Sequence, residues 1–130
     1  MNINRFKDAR VCDHRELLCR VQISYTELGK VLRITSGMTA TAGVDGMLGI
    51  NEDRLVCFEL TLFGGKPLNE VFRLPISEVK NIEIHQGFLG LSQIMMVETT
   101  KRRYKLVASP NKRPMLDAIR DEFQKLQSQE

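Results

Sequence analysis

Three cysteines, two histidines and a run of six cations are the residues of this chain whose types and spacing could do chemistry. Cys12-Asp13-His14, with Cys19 and Cys57, is the cluster that most resembles a set of metal ligands. Structural zinc needs four nitrogen or sulfur donors, delivered at characteristic short spacings. The intervals here match no such spacing, and no fourth ligand is supplied nearby. An odd number of thiols without a framework spacing reads as reduced cysteine in a cytoplasmic protein. His85 follows Ile84 at an outward strand position, which leaves acid–base chemistry to only two imidazoles, His14 and His85. No Gly-x-Ser-x-Gly elbow, phosphate loop or paired-carboxylate motif is present. Gly87-Phe88-Leu89-Gly90-Leu91 is not a nucleotide fingerprint, because no helical pattern follows it. The expectation is a protein without catalysis, metal or cofactor.

The cations are Lys101, Arg102, Arg103, Lys105, Lys112 and Arg113, in a stretch of 13 residues that holds no acid. The formal net charge is only +3, so the rest of the chain is net acidic. A nucleic-acid binder spreads more positive charge over a face, and none is expected as a partner. A chain of 130 residues is one domain, 1–130, able to build a core without disulfides. No stretch approaches the roughly 20 apolar residues of a membrane span. Met1 to Arg10 lacks the apolar centre of a secretory signal, which again suggests the cytoplasm.

The elements that must position these residues read most clearly from Gly46 onward. Arg54 to Leu62 alternates with period two, Val56, Phe58, Leu60 and Leu62 on one face and Cys57, Glu59 and Thr61 on the other. Asn51-Glu52-Asp53 reads as a turn, and Phe63-Gly64-Gly65-Lys66-Pro67 as a loop. Strands are expected over Asn69–Leu74 and Val79–His85, interrupted at Pro75, with Ile82 and Ile84 inward. Gln93–Thr99 and Arg103–Ala108 form a hairpin, with Tyr104, Leu106 and Ala108 facing in. Phe88, Leu89 and Leu91 are read as core, because a small barrel needs its large apolar side chains. A helix over about 112–127 carries a stripe of Met115, Ile119, Phe123 and Leu126, with Leu116 beside it. Asn111 is read as its N-cap, Pro114 falls in its first turn, and Asp121–Lys125 is an i, i+4 pair. Residues 1–45 are less regular. Arg15–Ile23 suits a strand or the end of a helix, Lys30–Thr35 a strand, and Ser36–Asp45 a loop.

Gly46-Met47-Leu48-Gly49-Ile50-Asn51-Glu52-Asp53-Arg54-Leu55-Val56 resembles a hairpin of the GRAM and bacterial pleckstrin-homology (PH)-like families. Phe72-Arg73-Leu74-Pro75-Ile76-Ser77-Glu78-Val79-Lys80-Asn81-Ile82-Glu83-Ile84 is similar to a second segment of theirs, and Gln93 to Leu126 fits the same scheme. The resemblance covers about two thirds of the chain and rests on hydrophobic pattern. It implies a mainly β (α+β) fold: a PH-like barrel of two packed antiparallel sheets, about seven strands, capped by the C-terminal helix. It also implies a binding face at the end opposite the helix, among Ser36–Asp45, Phe63–Leu68 and Thr100–Arg103. Lys66, Lys101, Arg102 and Arg103 are the cations there, and they are the candidate site for an anionic partner. Ser36–Asp45 has one acid and no base, so the phosphoinositide signature of such folds is missing from that loop.

Lys112 and Arg113 form a second basic group. A strand of about six residues at roughly 3.3 Å each puts them on the order of 20 Å from Arg102. They also stand at a helix N-terminus, where the macrodipole favours acids, a conflict that an anionic partner would remove. For both groups the ordinary alternative is solvated surface charge. The resulting expectation is a non-catalytic intracellular module that recruits a protein partner through an exposed strand edge. The alternatives are weak attachment to anionic lipid at the inner membrane surface through the basic hairpin, and an unrecognised enzyme. Residues 1–30 exceed what the fold requires and are read as an extension that could reach a neighbouring copy, which makes a homo-oligomer a further expectation.

Overall fold

Period-two alternation gives each strand two faces, and here both faces of the central strands are covered. The computed structural model describes residues 6–7, 9–12, 17–24, 44–61 and 65–129, leaving aside the Phe88 side chain. Its strands are β1 Leu18–Ser24, β2 Val44–Asn51, β3 Arg54–Leu60, β4 Pro67–Pro75, β5 Val79–Gln86, β6 Gln93–Thr99 and β7 Arg103–Ala108. One helix, α1 Arg113–Ser128, follows. All seven strands join one antiparallel ladder in the order β4-β3-β2-β1-β7-β6-β5.

The ladder has a narrow waist. β1 pairs with β2 from Leu18 to Ile23, but with β7 only over Gln22–Ser24 against Lys105–Val107. The waist divides a four-strand part from a three-strand part, so the two expected sheets are continuous through β1. The ladder also curls on itself. Phe72 of β4 and Tyr104 of β7 are separated by three intervening strands, yet their ring centroids lie 4.6 Å apart. Leu116, Ile119 and Phe123 of α1 complete the main core with Cys19, Val21, Ile23, Leu48, Leu55 and Cys57.

A second apolar cluster lies on the other face of β2 and β3. Phe6, Val11 and Cys12 pack there on Leu18, Met47, Val56 and Leu60. Val56, Phe58 and Leu60 therefore belong to this outer cluster, while Leu55 and Cys57 enter the main core. The described part of the N-terminal region is thus laid on its own sheet. Gly49 makes this possible, since a Cβ there would stand 2.7 Å from both Cys12 Cβ and the Val11 carbonyl oxygen.

Several expected boundaries move. Lys30–Thr35 and residues 36–43 lie outside the described residues, but Val44 and Asp45 belong to β2 rather than to a loop. Arg15–Ile23 resolves into strand from Leu18. β4 begins at Pro67, where an edge strand loses no ladder bond to the missing N–H. The Ile76–Glu78 turn of 3-10 helix follows Pro75, as the break at that residue led us to expect. Asn111 does not cap α1. It lies in a 3-10 turn, Pro110–Lys112, where its Oδ1 accepts a 2.6 Å bond from Ser109 Oγ, and the N-cap position is Lys112. Asp121 pairs with the adjacent Arg120 at 3.1 Å rather than with Lys125.

Leu89 and Leu91 are the largest correction. They are 77% and 72% exposed, not core. Leu89 at φ +56° and Gly90 at φ +70° turn the chain back. The Gly87 N–H donates to Ser92 O at 2.9 Å, and the Gly90 N–H donates to Gly87 O at 3.1 Å. The loop thereby closes on its own backbone and leaves the two side chains outside.

Candidate functional site

Thr99 builds the basic β6–β7 turn. Its hydroxyl donates to the Arg102 carbonyl at 2.9 Å and accepts from the N–H groups of Lys101 and Arg102 at 3.3 and 3.1 Å. Its own N–H donates to Arg102 O at 2.9 Å. Lys101, Arg102 and Arg103 project from this turn as exposed side chains, and none forms an ion pair among the described residues. Lys101 and Arg102 line a cavity of about 240 Å³ with Leu74, Glu78 and Tyr104. One carboxylate in that lining offsets a cation.

Lys66 does not join them. It lies in the β3–β4 connection, where its N–H donates to Thr61 Oγ1 at 3.0 Å. Leu74, which shares the cavity of Lys101 and Arg102, lies at the other end of β4. Eight residues of extended chain at roughly 3.3 Å each put Lys66 on the order of 25 Å from it. The expected four-cation site is therefore a turn of three cations and one distant lysine.

Lys112 and Arg113 also part company. Arg113 Nε donates to Asp117 Oδ1 at 2.9 Å, and its Nη1 donates to Gln93 Oε1 at 2.7 Å. Asp117, one turn on, supplies internally the acid that the helix start was expected to seek from a partner. Arg113 thus clamps α1 to the start of β6. Lys112 instead lines an open cleft of about 380 Å³ with Arg20, Asp45, Leu91, Ser92 and Ser109, beside the stretch where β1 and β7 part. Arg20 is held by Asp45 at 3.1 Å, which leaves Lys112 as the cation of that lining without an ion pair among the described residues.

The cysteines do not converge. Cys12 lies in the outer cluster and donates from Sγ to Leu17 O at 3.2 Å, whereas Cys19 and Cys57 lie in the main core. Asp13 and His14 are outside the described residues. Among the described residues no group of three His, Cys, Asp or Glu side chains could hold a metal ion. Burial pushes the Cys19 thiol up to about 11, against a smaller opposing pull from Lys112. Burial, with Glu59 adding to it, raises the Cys57 thiol well above its ordinary value. At neutral pH both are thus protonated and poor nucleophiles. The unfolded thiols ionise near 9.0 while the folded ones do not, so this stabilisation is complete below pH 9 and is lost as pH rises toward about 11. Each such thiol should cost about 1.4 kcal/mol per pH unit in that window. Urea midpoints at pH 7, 9 and 10 are expected to fall more steeply for the wild type than for Cys19→Ala/Cys57→Ala.

At the ends of the ladder the two edges differ. β4 starts and stops on proline, Pro67 and Pro75, while β5 contains none. Among the described residues β5 pairs only with β6. The Gln127 side chain donates to the Ile76 and Val79 carbonyls at 3.2 and 3.0 Å, holding the end of α1 at the start of β5. Beyond Gln86 the chain enters the loop that exposes Leu89 and Leu91. Sequence reasoning missed the Arg113–Gln93 and Arg20–Asp45 contacts, because residues 20 and 25 positions apart carry no local signal of their meeting.

Fold and site together define a mainly β class of protein: a seven-strand antiparallel sheet with one C-terminal helix. Comparison with protein-family models and with curated proteins finds no match. No helix among the described residues is long and apolar enough to cross a membrane.

Proposed function

We propose that this protein is a non-catalytic binding module of PH-like architecture that recruits a protein partner by adding an extended segment of it to the edge of β5. The observation that carries this reading is the edge itself. β5 is an eight-residue strand at the end of the ladder, without proline, running into an exposed apolar loop. Strand addition draws affinity from main-chain hydrogen bonds and specificity from side-chain contacts beside them. A segment laid along β5 and continuing past Gln86 meets Leu89 and Leu91. The PH-like part of the proposal is supported by the seven antiparallel strands, the curl of the ladder and the helix that follows them. A cytoplasmic setting is in keeping with three free, buried cysteines.

Attachment to anionic membrane draws less support. With Lys66 far along β4, the turn offers three cations at about 1 kcal/mol each. The sum of about 3 kcal/mol corresponds to binding weaker than millimolar.

Peptides selected from a random twelve-residue display library test the proposal. Binding is expected to shift the backbone amides of Val79–Gln86 and of the Leu89–Leu91 loop. Leu89→Asp/Leu91→Asp should weaken the selected peptides at least 10-fold, since covering even one exposed leucine is worth about 1.5–3 kcal/mol. Failure to select any peptide, or shifts confined to other strands, would count against strand addition. Binding to vesicles of 20% phosphatidylserine that is lost in Lys101→Glu/Arg102→Glu would favour the membrane reading instead.

A further inference from the structure

The side chains of β5, β6 and β7 that point away from the core form an ordered surface. Met95, Val97, Tyr104, Leu106 and Ile82 enter the main core, so Ile94, Met96, Lys105, Val107, Glu83 and His85 occupy the opposite face. The register arranges them in rows. Glu83 stands beside Met96, and Met96 beside Lys105; His85 stands beside Ile94, and Ile94 beside Val107. Ile94, Met96 and Val107 are half-buried and, among the described residues, belong to neither apolar cluster. The face therefore has an apolar middle, an acid on one flank and a base on the other.

That pattern is self-complementary. A two-fold axis parallel to β6 turns the face over and exchanges its flanks. Met96 then meets the second copy's Met96, Ile94 meets Ile94, and Glu83 meets Lys105 twice, once on each side. Glu98 falls on the axis next to its like, but Arg103 stands directly across from it in its own sheet and carries the opposite charge. An isologous contact of this kind closes as a dimer.

We infer that the outer face of β5–β6–β7 is a dimer interface between two copies of this chain. The inference goes beyond the proposed peptide site, because it uses the face of the strands and leaves the β5 edge open. Strands about 4.8 Å apart and some 20 Å long give a face of a few hundred Å² per copy. A standard stable interface buries about 800 Å² per partner. The dimer is therefore weak, in the class of small transient interfaces.

Sedimentation equilibrium of the full chain from 10 µM to 1 mM in low salt tests it. The wild type is expected to dimerise, with Ile94, Met96 and Val107 amides shifting on dilution in NMR spectra. Glu83→Lys alone sets lysine against Lys105 of the second copy, and Lys105→Glu alone sets glutamate against Glu83. Each is expected to weaken self-association at least 10-fold. Mixed in equal amounts, the two variants should form a heterodimer as tight as the wild-type dimer, since every crossed pair is then of opposite sign. Intramolecular repair cannot give that result. A wild type that stays monomeric at 1 mM, variants that dimerise undiminished, or a mixture that stays monomeric would each overturn the inference.

Discussion

Phe123→Ala is expected to remove about 3–5 kcal/mol of folding stability, the range for deleting a fully buried aromatic ring. The ring is completely inaccessible and lies in one cluster with Leu116 and Ile119 of α1 and residues from all seven strands, Phe72 and Tyr104 among them. A domain of this size has about 5–15 kcal/mol in total, so the variant forfeits a large share of it. Urea denaturation followed by circular dichroism measures the loss directly. Gln124→Ala, on the wet side of the same helix, should change stability by less than about 0.5 kcal/mol. A loss below about 1 kcal/mol for Phe123→Ala would mean that α1 is an ornament on a self-sufficient sheet. The geometry argues otherwise: the curled ladder leaves one side of its core open, and Leu116, Ile119 and Phe123 close it.

Phe6→Ala is expected to cost about 3 kcal/mol, at the low end of the same range because a cluster near the surface can partly collapse around the gap. Phe6 is only 2% exposed and anchors the outer cluster. The segment around it is fixed at several points. The Val11 N–H donates to Phe6 O at 2.8 Å, Arg73 Nη1 donates to Arg10 O at 2.8 Å, and Arg10 pairs with Glu52. The readout that separates a packed segment from a loose arm is hydrogen exchange at the Val11 amide. It should quicken strongly in Phe6→Ala, and the urea midpoint should fall with it. A variant as stable as the wild type would show that the outer cluster contributes nothing to folding.

What could be read in the sequence is what repeats locally. The strands of the C-terminal half carry period two and α1 carries period 3.6, so Ile82, Tyr104, Leu106, Ile119 and Phe123 were correctly turned inward. Alternation on β3 told the two faces apart but not that both are covered, because the cover comes from Phe6, Val11 and Cys12, more than 40 positions away. Asn111 has the right chemistry for a cap, but Ser109 engages its side chain in the preceding 3-10 turn, one residue before the cap position. The leucines of the β5–β6 loop were misplaced because apolarity alone says core, whereas the positive φ values at Leu89 and Gly90 decide where the side chains go. The basic stretch, contiguous in sequence, is divided by β7 and by the partners of Arg113. Contiguity along a strand is distance in space, and no composition count reveals it.

The waist between β1 and β7 bears on how the chain reaches this shape. Ile23 and Leu106 are paired although 83 positions separate them. Closing a loop of that length costs about 4 kcal/mol in chain entropy beyond a constant, and only three residue pairs meet it directly. Every other pairing in the ladder joins strands that are consecutive among the described residues. Hairpins can therefore form early and independently, while β1 has to wait for β7 to leave the ribosome. Among the strand pairings this seam is the one of high contact order, and pairings of that kind are the slow ones to form.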